Sequence, residues 1–70
     1  MDKLRIGVIG YGYWGPNLVR NFVEIPGAEM IAVSDLRIER LAQAKSIYPS
    51  LQTTTNYFDL FEMDLNAVVV

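Results

Sequence analysis

Ligand-holding residue types are sparse in this sequence, and one arrangement of them stands out. Gly10-Tyr11-Gly12-Tyr13-Trp14-Gly15 has the form G-x-G-x-x-G, and an acid, Asp35, lies 20 residues beyond Gly15. Glycines so spaced, between a strand and a helix, bring bare backbone up to a diphosphate, and the distant acid accepts hydrogen bonds from ribose hydroxyls. Gly10 allows the tight turn, Gly12 leaves room for the diphosphate, and Gly15 lets the helix pack close to the strand. The helix N-terminus then offers unpaired N–H groups and partial positive charge, with the backbones of Tyr13 and Trp14 as the expected donors. The charge of Asp35 repels a 2′-phosphate, so the pattern predicts NAD ahead of NADP. Two plainer readings compete: the glycines serve only packing, and Asp35 only caps the helix after it. Arg37 is either a 2′-phosphate ligand or a solvated helix charge.

These residues need elements to hold them. Leu4 to Ile9 is a near-continuous apolar run of buried-strand type, with Gly7 inside it to let another backbone come close. After the turn, Pro16 suits a first helical turn. Trp14, Leu18, Val19, Phe22 and Val23 form a helical apolar stripe, which predicts a core position for the Trp14 side chain; Pro26-Gly27 ends the helix. Met30 to Val33 is a second buried strand, closed by Ser34-Asp35. A second helix follows, with Ile38, Leu41, Ala42 and Ile47 on one face and Arg37, Glu39, Arg40, Gln43 and Lys45 toward solvent; Pro49 stops it. Leu51 to Thr55 reads as a short polar strand at the sheet edge. Asn56 caps a short helix over Tyr57 to Glu62, with Asp59 at the capping-box position. Ala67 to Val70 begins a fourth strand. The order β-α-β-α-β-α-β predicts an α/β fold with a parallel sheet, strand order 3-2-1-4 and right-handed crossovers, the first half of a Rossmann fold. Residues 1–70 are expected to be a partial dinucleotide-binding domain, truncated before any catalytic or substrate-binding part.

Composition narrows the function classes. Seventy residues make one small domain, which buries about 60% of its unfolded surface. Neither cysteine nor histidine occurs, so disulfides and the commonest zinc sites are excluded, and no metal site is expected. Six Lys or Arg against eight Asp or Glu give a net charge of −2 without a basic stripe, which argues against nucleic acid as a partner. No apolar run approaches the roughly 20 residues of a membrane span, nor does the N-terminus read as a signal peptide, so the cytoplasm is the expected compartment. Asn56, Asp59, Glu62 and Asp64 surround a cap and loop rather than forming a catalytic pair. The polar run Gln52 to Thr55 reads as edge strand.

The stretch from Ile6 to Phe22, Ala32-Val33-Ser34-Asp35 with the helix from Glu39 to Ala44, and Asp64 to Val70 together resemble the N-terminal part of Gfo/Idh/MocA-type oxidoreductases. The Tyr-Trp-Gly-Pro-Asn form of the turn is similar to members acting on nucleotide sugars. The resemblance implies an NAD(P)-binding Rossmann domain followed by an open-sheet α/β domain often used for oligomerisation, with hydride transfer between nicotinamide and a sugar, cyclitol or nucleotide-sugar carbon. It implies cofactor-binding roles for Gly10, Gly12, Tyr13, Trp14, Gly15 and Asp35. The family's catalytic lysine, in a Glu-Lys-Pro motif, has no counterpart here, since Lys3 precedes the first strand and Lys45 lies in the second helix. No catalytic residue is therefore expected, and the chain by itself is expected not to catalyse. Alternatives are an FAD- or S-adenosylmethionine-binding module, or a non-catalytic assembly module. An exposed fourth-strand edge and an uncovered sheet face predict a homo-oligomer.

Overall fold

The computed structural model describes residues 3–70; Met1 and Asp2, part of the charged N-terminus read above, lie outside the described residues. Four strands form one parallel sheet: β1 (Leu4–Ile9), β2 (Ala28–Ser34), β3 (Gln52–Thr54) and β4 (Ala67–Val69), in the order β3-β2-β1-β4. This is the predicted 3-2-1-4 order. The crossovers are α1 (Gly15–Glu24), α2 (Ile38–Ile47) and a 3-10 helix (Tyr57–Glu62). β2 begins two residues earlier than its apolar run, at Ala28, because parallel pairing with β1 starts at Leu4↔Ala28.

The pleat sorts β1 into two faces. Ile6 and Val8 join Val33 of β2 in a cluster with Val19 of α1, Leu41 and Ala44 of α2, Tyr11 and Leu51. Val8, Val19 and Val33 are fully buried, each worth about 1.5–3 kcal/mol relative to exposure. Gly7 points the other way. A Cβ there would lie 2.8 Å from Leu65 Cδ1, 3.6 Å from Leu60 Cδ1 and 3.8 Å from the Ala32 carbonyl oxygen, so the tightest approach it permits is by a leucine side chain, with the neighbouring strand's backbone at ordinary contact. Leu60, fully buried in the 3-10 helix, covers this second face.

The β4 edge is pinned by a reciprocal pair: Arg5 N–H donates to Asn66 Oδ1 (2.8 Å), and Asn66 N–H donates to the Arg5 carbonyl (2.7 Å). The Asn56 cap is present as predicted, its side-chain oxygen accepting from Phe58 N–H.

Side-chain expectations fail on both helices, and Val23, placed on the apolar stripe of α1, is exposed. Trp14 is 68% exposed rather than in the core. It is the N-cap residue of α1, one position before the helix whose buried residues are Gly15 and Val19. On α2 the buried face is Leu41 and Ala44, while Ile38, Ala42 and Ile47 are exposed. The helix lies over both β3 and β2, and Leu41 and Ala44, three residues apart on one face, are the positions it turns onto them.

Candidate dinucleotide-binding site

The predicted residues meet at the C-terminal ends of β1, β2 and β3. Gly10 follows β1 with φ +98°, a conformation that side-chain-bearing residues rarely adopt, and its N–H donates to the Ser34 carbonyl at 2.6 Å. The chain then folds back so tightly that a Cβ on Gly15 would sit 2.5 Å from the Gly10 carbonyl oxygen. The Tyr11 ring between them is buried in the core and anchors the turn from below. Burial, and then the neighbouring Tyr48, pushes the Tyr11 phenol up, so its hydroxyl stays neutral. Pro16 occupies the first turn of α1, and the Trp14 carbonyl accepts from Leu18 N–H. Among the described residues, the N–H groups of Gly12, Tyr13, Trp14 and Gly15 meet no acceptor.

Asp35 stands at the end of β2, its N–H on the Thr54 carbonyl of β3 (3.2 Å). Ser34 and Asp35 are the buried polar residues of the described chain. Asp35 Oδ2 accepts the Tyr11 N–H of the glycine turn at 2.7 Å, and Oδ1 accepts the Arg37 N–H at 2.7 Å. Arg40 Nη1 lies 3.7 Å from Oδ2. Burial raises the Asp35 carboxyl, but the two backbone N–H groups, from Arg37 and then Tyr11, outweigh it together with the charges of Arg40 and Arg37. The net effect holds the carboxyl below its ordinary value. Asp35 does not cap α2, whose N-cap is Arg37 without a side-chain cap bond; its Oδ1 instead fixes the backbone of that N-cap residue. Its other oxygen is spent on the glycine turn, which a cap alone does not explain.

A pocket of about 370 Å³ opens here, lined by Ile9, Gly10, Ser34, Asp35, Leu36, Arg37, Arg40 and Tyr57. That is within the usual size range of small-molecule sites, about 300–1,000 Å³. The structure gathers Gly10, Gly12 and Asp35 around it. Gly12 joins through Arg40, whose Nη1 would be 2.8 Å from a Cβ at position 12. Gly15 is a packing position, and the Tyr13 and Trp14 rings stack edge-on (centroids 5.1 Å, 84°) out in solvent, away from the pocket lining. Sequence reasoning missed Arg40, Leu36 and Tyr57. Arg40 had been set among solvated helix charges, and its distance of one helical turn and a loop from Asp35 was the available signal. Lys45 Nζ donates to the Leu51 carbonyl (2.7 Å), which agrees with its having no place in this site.

No family model matches the chain. Over 47 residues, 67% of the chain, it is 45% identical to glycosyl hydrolase family 109 protein 1 of Bacteroides fragilis and 38% identical to a family 109 protein of Porphyromonas gingivalis. Its structure superposes on myo-inositol 2-dehydrogenase from Lactobacillus plantarum with TM-score 0.87 and 30% identity over 96% of the chain. Its structural neighbours are dehydrogenases of the Gfo/Idh/MocA type. The WlbA dehydrogenase of Bordetella pertussis, solved with NADH and UDP-GlcNAcA, shares its fold at TM-score 0.86 and 20% identity over 97% of the chain. The segment spans about a tenth of the curated relatives and about a fifth of the structural ones. No helix among the described residues is long and apolar enough to cross a membrane.

Proposed function

We propose that this chain holds a nicotinamide dinucleotide for an enzyme that transfers hydride to or from a sugar, cyclitol or nucleotide-sugar carbon. The observation that carries this reading is the 2.7 Å bond from Tyr11 N–H to Asp35 Oδ2, which locks the glycine turn and the acid into one site beside a pocket. The residues fit such a ligand. Gly12 leaves a cradle that a Cβ would fill, the turn has N–H groups without acceptors, and Asp35 Oδ1 keeps a lone pair for a ribose hydroxyl. Bound nicotinamide supplies the hydride chemistry. The residues of this chain bind and orient: backbone at Gly12, Tyr13 and Trp14 toward the diphosphate, and Asp35 toward the adenosine ribose, with Gly10 and Gly15 shaping the turn. The carboxylate of Asp35 favours NAD, with NADP the weaker ligand. Residues 1–70 alone are expected to bind without turnover, because no lysine or histidine stands beside the glycine turn among the described residues.

A second reading draws on the 45% identity to a protein named as a glycosyl hydrolase. Some glycosidases use NAD, so the same dinucleotide site would serve hydrolysis of a glycoside. The outer edge of β4 is unpaired among the described residues, which supports self-association as a further property of residues 1–70.

Calorimetric titration with NAD, NADP, FAD and S-adenosylmethionine tests the proposal. Binding of NAD with NADP weaker, lost in Asp35→Ala, is the expected result. Preference for FAD or S-adenosylmethionine, or a folded protein that binds none of the four, would sink it, the last outcome leaving an assembly role. Turnover of NADH with keto-sugars by these 70 residues would refute the claim that they do not catalyse.

A further inference from the structure

Besides Asp35, whose carboxylate bonds to the glycine turn and to the start of α2, the charged side chain of Arg40 reaches both halves of the site. It sits in the first turn of α2, on the far side of the pocket from the glycine turn, yet its guanidinium reaches across to lie against Gly12. Its sole polar partner among the described residues is Asp35, as an ion pair at 3.7 Å, too long for a hydrogen bond. Guanidinium carries five N–H donors in a fixed fork suited to phosphate oxygens, and here they are uncommitted. The side chain is 41% exposed, so it has room to move.

We propose that Arg40 is a phosphate-positioning residue, whose guanidinium pairs with the diphosphate as that group settles over Gly12. This rests on the dinucleotide reading above and adds to it a side-chain ligand beyond the backbone of the turn. Location selects the diphosphate rather than a 2′-phosphate. The atom a Cβ at Gly12 would strike is Arg40 Nη1, and Gly12 is where the diphosphate meets the backbone, whereas Arg37 has no such contact. Charge supports the same assignment. Asp35 already receives two backbone N–H groups, so it does not need Arg40 for satisfaction, and two guanidiniums, Arg37 and Arg40, face one carboxylate around this pocket. That leaves a surplus positive charge where an anion is to bind. The long, half-exposed ion pair is then a parking position, from which the fork swings a short way onto the phosphates.

The test is an NMR-monitored titration of the protein and its Arg40→Gln and Arg40→Lys variants with ADP-ribose and with adenosine, which lacks phosphates. Expected is about a tenfold loss of ADP-ribose affinity in Arg40→Gln, a smaller loss in Arg40→Lys, and adenosine binding unchanged within about twofold. Raising salt should weaken ADP-ribose binding in the wild type more than in Arg40→Gln. Unchanged or tighter ADP-ribose binding in Arg40→Gln would overturn the proposal while leaving the dinucleotide site standing, and equal losses for adenosine would show that Arg40 acts only through Asp35. Wild-type protein that binds neither ligand would overturn the dinucleotide reading and this assignment with it. Should Arg40→Gln not fold, Arg40→Lys decides: affinity for ADP-ribose equal to wild type overturns the fork geometry argued here.

Discussion

The two strand-to-helix junctions that build the site solve the same geometric problem by opposite means. Between β1 and α1 the chain uses absence: three glycines, one with φ +98°, one whose Cβ would strike backbone and one whose Cβ would strike a side chain. Between β2 and α2 it uses charge, with Asp35 held by two backbone N–H groups and Arg40 nearby. The first junction is rigid because backbone meets backbone. The second is adjustable, since its outermost contact is a long ion pair at the tip of a flexible chain. A site that must admit a large anion needs both, a fixed cradle and a side that can rearrange.

The sharpest way to break this contrast is Gly15→Ala. Its Cβ meets the Gly10 carbonyl, which cannot yield without moving the turn, so about 3 kcal/mol of stability should be lost in urea unfolding. A change below about 1 kcal/mol would show that the first junction is softer than described. Asp35→Asn comes next. An amide can accept at one oxygen only and turns its NH₂ toward either Tyr11 N–H or Arg37 N–H, which leaves a buried donor unpaired at a cost of about 2 kcal/mol.

The same substitution tests the electrostatics. Asp35 has a lowered folded-state value, so its contribution to stability is complete above the unfolded value of about 4 and disappears as pH falls through the folded one. Wild-type stability should therefore drop more steeply below about pH 4 than that of Asp35→Asn, as seen in thermal melts across pH 2.5–6. Parallel curves would mean Asp35 carries no net advantage from its partners. Gly10→Ala should cost about 1–2 kcal/mol through backbone conformation alone, because no atom stands within 4 Å of the added methyl. Smallest of all is Gly12→Ala. Its methyl meets only the mobile end of Arg40, so stability should change by less than about 0.5 kcal/mol while dinucleotide affinity falls, separating the cradle's binding role from its folding role.

How much was legible beforehand follows the same division. The glycine turn, the strand order and the Asn56 cap were readable because each depends on rules a few residues long: backbone sterics, apolar runs and a side chain reaching its own neighbours. Asp35 was readable as a position, at the end of a strand 20 residues past the turn, but its dual grip on Tyr11 and Arg37 was not, since that needs β1 and β2 side by side. Trp14 was misplaced because a periodic stripe extrapolates past the first helical residue to the N-cap, where the side chain is left exposed. Ile38 and Ile47, the first and last residues of α2, were misplaced because periodicity does not show which turn of a helix the sheet covers.

By itself, then, the sequence determined the parallel α/β topology, the turn built on Gly10, Gly12 and Gly15, and the presence of an acid at the next strand end. Those follow from local sterics and from apolar periodicity, which act along the chain. Only the tertiary structure decided that Tyr11 goes down into the core while Trp14 goes out, that the Asp35 carboxylate closes onto the glycine turn, and that Arg40 crosses the pocket to Gly12. Those depend on which surfaces remain uncovered once the sheet has formed and on a carboxylate brought to a backbone donor across 24 residues of chain, and neither quantity is written in any short stretch of it.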